Sequence, residues 1–300
     1  MELSSLRIFK TVAEEGSVTQ AASKLHRVQS NVSARLTQLE ESLGVTLFHR
    51  AGRRLLITPE GTRLLDYAER LLRLADEAQS SVRGTQEPSG LLRIGSMETT
   101  AAARLPHVLG AFHRKYPQVE LLLDTGPTDM LLQAVLNHKV DLALVGAPIE
   151  RQELVQVPVF VEELVLLTDT LQGPVTEPAD VACRTLLGFR AGCSYRRRLE
   201  WWFADAGIVP ARLAEFGTFE AIIGCVAAGM GVAMMPREVL KHRSLARTVQ
   251  CHTLAPEVAQ VETMLVWRKD IAQHTARDAF IASLTTFGVS SVNRTQNHKL

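Results

Sequence analysis

A short polar segment near the N-terminus has the side-chain types that read DNA bases. Its residues are Gln29, Asn31, Ser33 and Arg35. Glutamine and asparagine can pair with an adenine edge in the major groove, arginine suits guanine or phosphate, and serine serves either bases or phosphate. Val32, Leu36 and Leu39 recur at near-helical spacing, which predicts a helix with this apolar stripe buried and the polar groups facing outward.

A second, shorter helix is predicted just before this one, and the two must pack together. Ser17-Val18-Thr19-Gln20 fits a capping box, in which the Ser17 hydroxyl accepts from the Gln20 amide and the Gln20 side chain reaches back. Ala21 and Ala22 are small enough for a close helix crossing, and Leu25 closes the helix. Two such helices joined by a tight turn form a helix-turn-helix, whose second helix lies in the major groove.

A basic hairpin is predicted after the second helix. Gly44 fits the helix C-terminus, and strands over Val45–Phe48 and Leu55–Thr58 flank a basic turn over His49–Arg54. Arginines in such a wing can hold phosphates, although a solvated charged loop is the alternative. The predicted DNA-binding residues are Ser17, Thr19, Gln29, Ser30, Asn31, Ser33, Arg35, Arg50, Arg53 and Arg54.

The segment from Leu3 to about Gly61 carries residues that match a known family. They are Ala21, Ala22, Leu25, Gln29, Ser33, Leu39-Glu40, Leu43-Gly44-Val45, Leu47-Phe48, Arg50 and Thr58-Pro59-Glu60-Gly61. On these residues the segment resembles the DNA-binding domain of the LysR-type transcriptional regulators. One departure is Val28-Gln29-Ser30, where most members carry a serine followed by Gln-Pro, and losing a capping hydroxyl costs a helix about 1 kcal/mol. The resemblance implies binding of a double-stranded DNA operator.

Composition and charge limit the class of protein to which the chain can belong. The chain has 300 residues, of which 46% are hydrophobic, and a net charge of +1, so we expect two or three globular domains. Residues 1–58 carry eight Lys/Arg against five Asp/Glu, a modest positive face that suits phosphate contacts. We expect a cytoplasmic protein without membrane contact, because the N-terminus lacks a signal-peptide pattern and the most apolar stretch, Ile222–Met235, is too short to span a bilayer.

The cysteines leave an alternative open. Cys183, Cys193, Cys225 and Cys251 form no Cys-x-x-Cys pair and have no histidines at metal-ligand spacing, so we expect neither metal nor cofactor. Cys193, near two arginines and a predicted helix N-terminus, has the ingredients for a lowered thiol pKa. A redox-responsive regulator using Cys193 is therefore one alternative. A small-molecule-binding enzyme is another, disfavoured because no phosphate loop or catalytic motif is present.

A long helix is predicted from Pro59 to Arg83, because proline suits a first turn and neither proline nor glycine interrupts the run from Thr62 onward. Apolar residues recur in it at alternating spacings of four and three, the pattern of a coiled-coil seam. They are Leu64, Ala68, Leu71, Ala75, Ala78 and Val82. We expect this seam to join two subunits, the alternative being that it packs on the chain's own core. The segment 85–90 reads as a hinge.

Beyond the hinge, short apolar strands alternate with helices. Strands are predicted at Leu91–Gly95, Val119–Asp124, Val140–Val145, Leu164–Thr168, Thr185–Phe189 and Val232–Met235. Helices are predicted at Ala102–Tyr116, Met130–Asn137, Arg196–Ala206 and Phe219–Gly229. This alternation predicts α/β units with largely parallel sheets. Ligands of such sheets bind beyond the carboxyl ends of the strands, near helix N-termini.

Hydroxyl groups follow two of these strands, and an arginine with further hydroxyls follows a third. Such groups can contact a small polar or anionic ligand, although Ser and Thr at these junctions cap helices more often. This half is similar to the regulatory region of LysR-type proteins, two subdomains resembling periplasmic solute-binding proteins with an inducer between them. The effector contacts that we expect are Ser96, Thr99, Thr100, Thr128, Arg190, Ser194, Tyr195 and Thr218.

The expected fold is α/β, with an N-terminal all-α winged helix-turn-helix domain, a long linker helix and two α/β subdomains. The expected boundaries are 1–58 for DNA binding, 59–90 for the linker and hinge, and 91–300 for the regulatory domain. By the resemblance, subdomain one holds 91–160 and 266–287, and subdomain two holds 161–265. The resemblance also implies a homodimer that assembles to a homotetramer, whose binding to a near-palindromic operator responds to the effector.

Overall fold

The computed structural model describes residues 1–51, 54–83, 87–182, 185–241, 248–270 and 274–296. The chain divides into two compact units, Met1–Thr85 and Gln86–Leu300. Within the described residues, no helix combines the length and the apolar character that crossing a membrane requires.

The first unit consists of four helices and a two-stranded hairpin. The elements are α1 (Leu3–Glu15), α2 (Val18–Lys24), α3 (Gln29–Leu43), β1 (Phe48–Ala51), β2 (Arg54–Ile57) and α4 (Pro59–Arg83). Gly16 and Gly44 end α1 and α3 in the left-handed conformation, at φ 62° and 67°, which glycine adopts without a steric cost. The winged domain is therefore not purely helical, since its wing is an antiparallel hairpin.

The hairpin begins three residues later than predicted. The backbone amides of Val45 and Leu47 are used by Glu40, whose carbonyl oxygen and carboxylate accept from them at 3.3 and 2.7 Å respectively. These contacts hold the segment after α3 against the end of that helix. Pairing starts at Phe48, opposite Ile57.

The long helix α4 is confirmed, but only part of its predicted apolar seam is exposed. Ala68 is fully buried and Leu64 is half-buried, both in the core of the first unit. Leu71 and Ala78 are exposed, and the side chain of Val82 lies outside the described residues. The alternative of packing on the chain's own core therefore holds for the first part of the predicted seam.

The second unit contains a seven-stranded sheet and a two-stranded sheet. The strands are β3 (Gly90–Ser96), β4 (Val119–Thr125), β5 (Leu142–Gly146), β6 (Leu154–Thr168), β7 (Thr185–Phe189), β8 (Arg212–Phe216), β9 (Ala233–Pro236), β10 (Gln250–Thr253) and β11 (Gln260–Arg268). The larger sheet has the order β10-β6-β11-β5-β3-β4, with β9 also paired to β6, and the smaller pairs β7 with β8.

The prediction of largely parallel sheets is only partly right. The pairs β3–β4, β3–β5 and β7–β8 are parallel. The strands β6 and β11, however, pair antiparallel with each other and with β5, β9 and β10. The first half of β6 lies with β11 and the second half extends to β9 and β10, so this long strand crosses between two halves of the unit. The prediction placed only Leu164–Thr168 in a strand.

The helices described in the second unit are α5 (Glu98–Ala103), α6 (Leu105–Lys115), α7 (Thr128–Leu136), α8 (Ser194–Asp205), α9 (Phe219–Ala227), α10 (Arg237–Leu240), α11 (Pro256–Ala259) and α12 (Thr275–Gln296). Those from α5 to α9 lie close to the four predicted helices, with one break, whereas α10, α11 and α12 were not predicted. The predicted helix Ala102–Tyr116 is two helices that meet at Arg104. Pro106 causes the division, because proline lacks an amide hydrogen and is accepted in the first turn of a helix but not in its interior.

Candidate nucleic-acid interface and effector cavity

The helix α3 has the two faces predicted for it. Val32, Leu36 and Leu39 are buried in the core of the first unit. Gln29, Ser30, Asn31 and Ser33 are exposed at the start of the helix. Arg35 is half-buried, with its Nη1 3.1 Å from the Glu2 carboxylate. The N-terminal turns of α3 thus present polar groups to solvent, with Arg35 held by an acidic neighbour.

The turn between α2 and α3 shows the consequence of the unusual residue at the helix start. Ser17 caps α2 by accepting from the Gln20 amide at 3.5 Å, while Thr19 is exposed. Val28 stands at the N-cap of α3 and provides no side-chain hydrogen bond. The departure from the family pattern therefore removes a capping interaction, as the sequence implied.

The arginines of the wing lie on its two strands. Arg50 is exposed on β1 opposite Leu55, and Arg54 is exposed on β2 opposite Ala51. Arg53 lies outside the described residues. Both described arginines therefore sit on strands rather than in the turn where the prediction placed them.

The base of the wing is fixed to α3 and α4. The Glu40 carboxylate accepts from the amides of Leu47 and Phe48, and Thr58 Oγ1 accepts from the Gly61 amide at 2.9 Å. A Cβ atom at Gly61 would lie 2.4 Å from the Leu47 carbonyl oxygen, closer than real Cβ contacts. Glycine is therefore required where α4 crosses the hairpin.

One face of α4 exposes an apolar stripe. Tyr67 is 61% exposed, Leu71 37% and Leu74 59%, and Ala78 is also exposed. The spacings are four, three and four residues, which places these side chains on one side of the helix. Stripes of this kind on long helices are typical of helix pairing between subunits.

A cavity of about 180 Å³ opens in the second unit, beyond the carboxyl ends of β3, β4 and β7. Three of the expected effector contacts, Thr99, Arg190 and Tyr195, line it. The other lining residues are Met97, Glu98, Thr125, Gly126, Pro127, Met130, Phe189, Cys193, Phe216 and Gly217. Most of these residues were not predicted as effector contacts, although they lie in or beside the strand-to-helix loops where the contacts were predicted. Phe216 ends β8 and Gly217 follows it, and this strand was not predicted from the sequence.

Five expected contacts do not line the cavity, and the hydroxyls of four of them serve the fold. Ser96 Oγ donates to the Met97 carbonyl oxygen at 3.0 Å, and Ser194 Oγ lies 3.7 Å from Met97 Sδ. Thr128 Oγ1 accepts from the Gly146 amide at 3.3 Å. The helix-capping alternative holds for Thr218, which caps α9 by accepting from the Ala221 amide at 3.3 Å.

The fifth of these residues, Thr100, lies behind the cavity next to Tyr195. Both side chains are 2% exposed. The Tyr195 phenol lies next to the hydroxyls of Thr99 and Thr100 and interacts with both. Burial raises the pKa of the Tyr195 phenol, and the Glu162 carboxylate raises it further, so the phenol stays protonated.

Arg190 is the charged group that the cavity offers to a ligand. It is exposed, so it lies at the opening, and its guanidinium makes no ion pair among the described residues. The nearby arginines, by contrast, are paired with carboxylates. Arg196 binds Glu200 and Glu215, and Arg197 binds Asp129 at 3.3 Å. Glu98 also lines the cavity but already interacts within the protein.

The alternative of an activated thiol at Cys193 is disfavoured by its surroundings. Cys193 is buried beside the cavity. Burial raises the pKa of its thiol, and this outweighs the lowering by the amides of Arg196 and Tyr195 and by the charges of Arg197 and Arg196. A thiol in this state is a poor nucleophile near neutral pH. Cys183 lies outside the described residues.

A buried ion pair joins the elements behind the cavity. Arg104 follows α5 and donates from Nε and Nη2 to the two carboxylate oxygens of Glu162, both at 2.9 Å. Its Nη1 lies 3.8 Å from Glu238 on α10. Glu162 belongs to the crossing strand β6. The Arg104 side chain therefore ties α5 to β6 and α10.

The family follows from the match of both units. Residues 3–62 match the model of the bacterial regulatory helix-turn-helix protein, lysR family, and residues 85–288 match that of the LysR substrate binding domain. The chain belongs to the LysR family of transcriptional regulators. This LysR-family protein is 41% identical over 284 residues to the HTH-type transcriptional regulator GltR of Bacillus subtilis, covering 95% of this chain and 96% of GltR. It is 42% identical over 281 residues to YofA of the same organism, covering 94% and 97%.

Solved structures of full-length relatives share the fold of the LysR-family protein. CbnR in complex with its target DNA has a TM-score of 0.70 at 24% identity and covers 96% of this chain and 100% of its own. A full-length variant of OxyR from Pseudomonas aeruginosa has a TM-score of 0.70 at 22% identity, covering 95% and 98%. The chain is thus a DNA-binding transcriptional regulator with an N-terminal helix-turn-helix domain and α/β regulatory subdomains.

Proposed function

We propose that this LysR-family regulator reads its operator with the first turns of α3 while the arginines of the wing hold the phosphates beside the groove. The observation that carries this proposal is the exposure of Gln29, Asn31 and Ser33 on a helix whose opposite stripe is buried. Amide and hydroxyl groups in this position suit base edges in the major groove. Arg50 and Arg54 are exposed and suit phosphate.

Paired helix-turn-helix domains need a subunit contact, and we propose that α4 supplies it. The outward stripe of Tyr67, Leu71, Leu74 and Ala78 has the spacing of a coiled-coil seam. Burying two such stripes against each other removes apolar surface from water, at about 25 cal/mol per Å². We further propose that such dimers associate to a homotetramer on a near-palindromic operator, in the cytoplasm where the chromosome lies.

We propose that the cavity beside Arg190 holds a small anionic effector. The guanidinium at the opening, which has no ion pair within the described part of the chain, can form charge-assisted hydrogen bonds to a carboxylate or phosphate. The effector must bind two states of the regulatory unit unequally in order to change operator binding. The relatives are transcriptional regulators, and we propose that this cavity has a sensing role without catalysis.

DNA reading is tested with a double variant, Gln29→Ala with Arg35→Ala. The wild-type protein first selects its preferred sequence from random duplex DNA, and fluorescence anisotropy then measures binding to that sequence and to a scrambled duplex. The control is Gln133→Ala with Arg63→Ala, which removes the same residue types from exposed positions outside the helix-turn-helix. We expect the first variant to lose the preference for the selected sequence and the control to keep it. An equal preference in both variants would show that α3 is not the reader.

The effector cavity is tested by thermal unfolding with a panel of small carboxylates. A compound that binds the native state raises the unfolding temperature. Arg190→Gln removes the charge at the opening, and Arg212→Gln removes one from the exposed edge strand β8. We expect the shift to disappear in the first variant only. A shift that persists in Arg190→Gln places the anion elsewhere.

A further inference from the structure

The residue that opens the helix α3 exposes an apolar side chain in polar surroundings. Val28 is the N-cap of α3 and is 73% exposed, more than any other large apolar residue described in the first unit. The residues next to it in the chain, Arg27, Gln29 and Ser30, are polar and exposed as well. Val28 therefore places an isolated apolar group among the side chains proposed to read DNA.

Neither the helix nor the core of the first unit gains from a valine at this position. A serine, threonine or aspartate at an N-cap accepts a hydrogen bond from the helix, as Ser17 does for α2 at 3.5 Å, whereas the Val28 side chain accepts none. The apolar core of the first unit forms without Val28. The exposed side chain is removed from water only when a binding partner covers it.

The backbone holds Val28 firmly at the start of α3. Its carbonyl oxygen accepts from the amides of Asn31 and Val32, at 3.0 and 3.2 Å, and a β-branched side chain has few rotamers. The neighbouring Asn31 is also held, because its Oδ1 accepts from Arg27 Nη1 at 3.4 Å. The methyl groups of Val28 therefore have a nearly fixed position at the end of the helix where helix-turn-helix proteins contact base edges.

The chemistry of the major groove offers one partner for such a group. The 5-methyl group of thymine is the methyl group that a base edge presents there, and apolar side chains recognise it by contact. Resting on the proposed reading of DNA by α3, we infer that Val28 contacts the 5-methyl group of a thymine in each operator half-site. This contact adds a preference for thymine to the hydrogen bonds that the polar side chains make.

The contact is tested by removing only the methyl group from the DNA. The full-length protein selects its preferred sequence from random duplex DNA, and each thymine is then replaced by deoxyuridine, which keeps the hydrogen-bonding groups. Fluorescence anisotropy measures the Kd of each duplex. At one position in each half-site we expect binding to weaken about fourfold, the value of burying one such group. If no replacement weakens binding, or the selected half-sites lack thymine, the inference is wrong.

Two variants assign the methyl contact to Val28. Val28→Ser should bind thymine and deoxyuridine equally at that position, while Val28→Ile, which keeps a branched apolar side chain, should retain the difference. Val209→Ala, at an 85% exposed valine of the second unit, is the control and should behave as the wild type. Val28→Ser should also unfold at no lower a temperature than the wild type, because serine is a preferred N-cap residue. Its loss of the preference then has a cause other than lost folding.

The variants can also overturn the inference. A difference between thymine and deoxyuridine that persists in Val28→Ser assigns the methyl contact to another residue. The same loss in Val28→Ile as in Val28→Ser would show that the preference does not come from an apolar contact.

A further arm separates this inference from the proposed function. If Gln29→Ala with Arg35→Ala abolishes the sequence preference while every deoxyuridine replacement is without effect, α3 reads the operator and the methyl contact falls. If the sequence preference survives that double variant, the proposed reading by α3 is wrong, and the inference about Val28 is wrong with it.

Discussion

The ion pair between Arg104 and Glu162 gives a quantitative prediction for the stability of the second unit. The Glu162 side chain is 3% exposed and that of Arg104 is 20% exposed. Two parallel hydrogen bonds of 2.9 Å satisfy the carboxylate. Removing one partner of a buried pair leaves the other charge without compensation, at a cost of about 3–5 kcal/mol. The size of the cost depends on which charge remains.

Arg104→Met should be the more damaging single change. It leaves the Glu162 carboxylate buried and unpaired, so we expect a loss of about 3 kcal/mol or more. Glu162→Leu leaves an arginine that is partly exposed and lies 3.8 Å from Glu238. That arginine can turn to water or to its second acidic neighbour, so we expect a smaller loss of about 1.5–3 kcal/mol, the value of a hydrogen bond to a charged group.

The double variant Arg104→Met with Glu162→Leu should recover most of this loss. Replacing both members of a buried pair by apolar residues of similar volume is often neutral or stabilising. The three variants and the wild type form a double-mutant cycle, in which residues in direct contact show strong coupling. We therefore expect the double variant to be more stable than Arg104→Met alone.

The assay follows from the distribution of tryptophan. All three tryptophans, Trp201, Trp202 and Trp267, lie in the second unit, so their fluorescence during urea unfolding reports on that unit. In a domain of this size 1 kcal/mol shifts the melting temperature by about 2–4 °C, so Arg104→Met should melt about 6–12 °C lower. Arg212→Met on the exposed edge strand β8 is the control. If Arg104→Met costs no more than the control, or if the double variant loses the sum of the single losses, the reasoning is refuted.

Three further predictions concern other sites. Gly61→Ala should cost about 1–3 kcal/mol by overpacking, because its Cβ would lie 2.4 Å from the Leu47 carbonyl oxygen; circular dichroism of the unfolding transition measures this, and an unchanged midpoint would contradict it. Burial lowers the pKa of His252, whose ring nitrogens are both hydrogen-bonded. Its contribution to stability should be complete above the ordinary pKa of about 6.5 and decline as pH falls below it, because the unfolded chain then binds the proton more readily. Urea midpoints at pH 8 and 5.5 for wild type and His252→Gln test the sign, and a His252→Gln difference independent of pH would contradict it. The exposed Cys251 should react with a thiol reagent before the buried Cys193; mass spectrometry of partly labelled protein shows the order, and early labelling of Cys193 would revive a redox role.

Local patterns in the sequence were sufficient to predict the helix α3 and its buried face. The apolar spacing of Val32, Leu36 and Leu39 depends on helix geometry alone, and these residues are buried as predicted. The start of the wing could not be read in the same way. The Glu40 carboxylate accepts from amides seven and eight residues later and holds the base of the wing, and such a contact leaves no trace in strand propensity.

The effector contacts were harder to predict because hydroxyl groups have competing partners. Thr128 pairs with an amide 18 residues away and Ser194 with a sulfur 97 residues away. Such distant contacts leave no periodic signal. Only a folded structure could show which of these hydroxyls are already used by such contacts. The sequence located the loops that build the cavity, but not the side chains that face it.

The linker helix shows most clearly why a correct pattern can have the wrong register. A helix that packs on its own domain and also on a second subunit needs two apolar stripes, and both follow the spacing of three and four. In α4, Leu64, Ala68 and Leu72 face the core of the first unit, whereas Leu71 and Leu74 face outward. The heptad read from the sequence mixed the two stripes. Because Ala68 is buried and Leu74 is exposed, a charged residue at position 68 would act on folding, while the same residue at position 74 would act on subunit pairing.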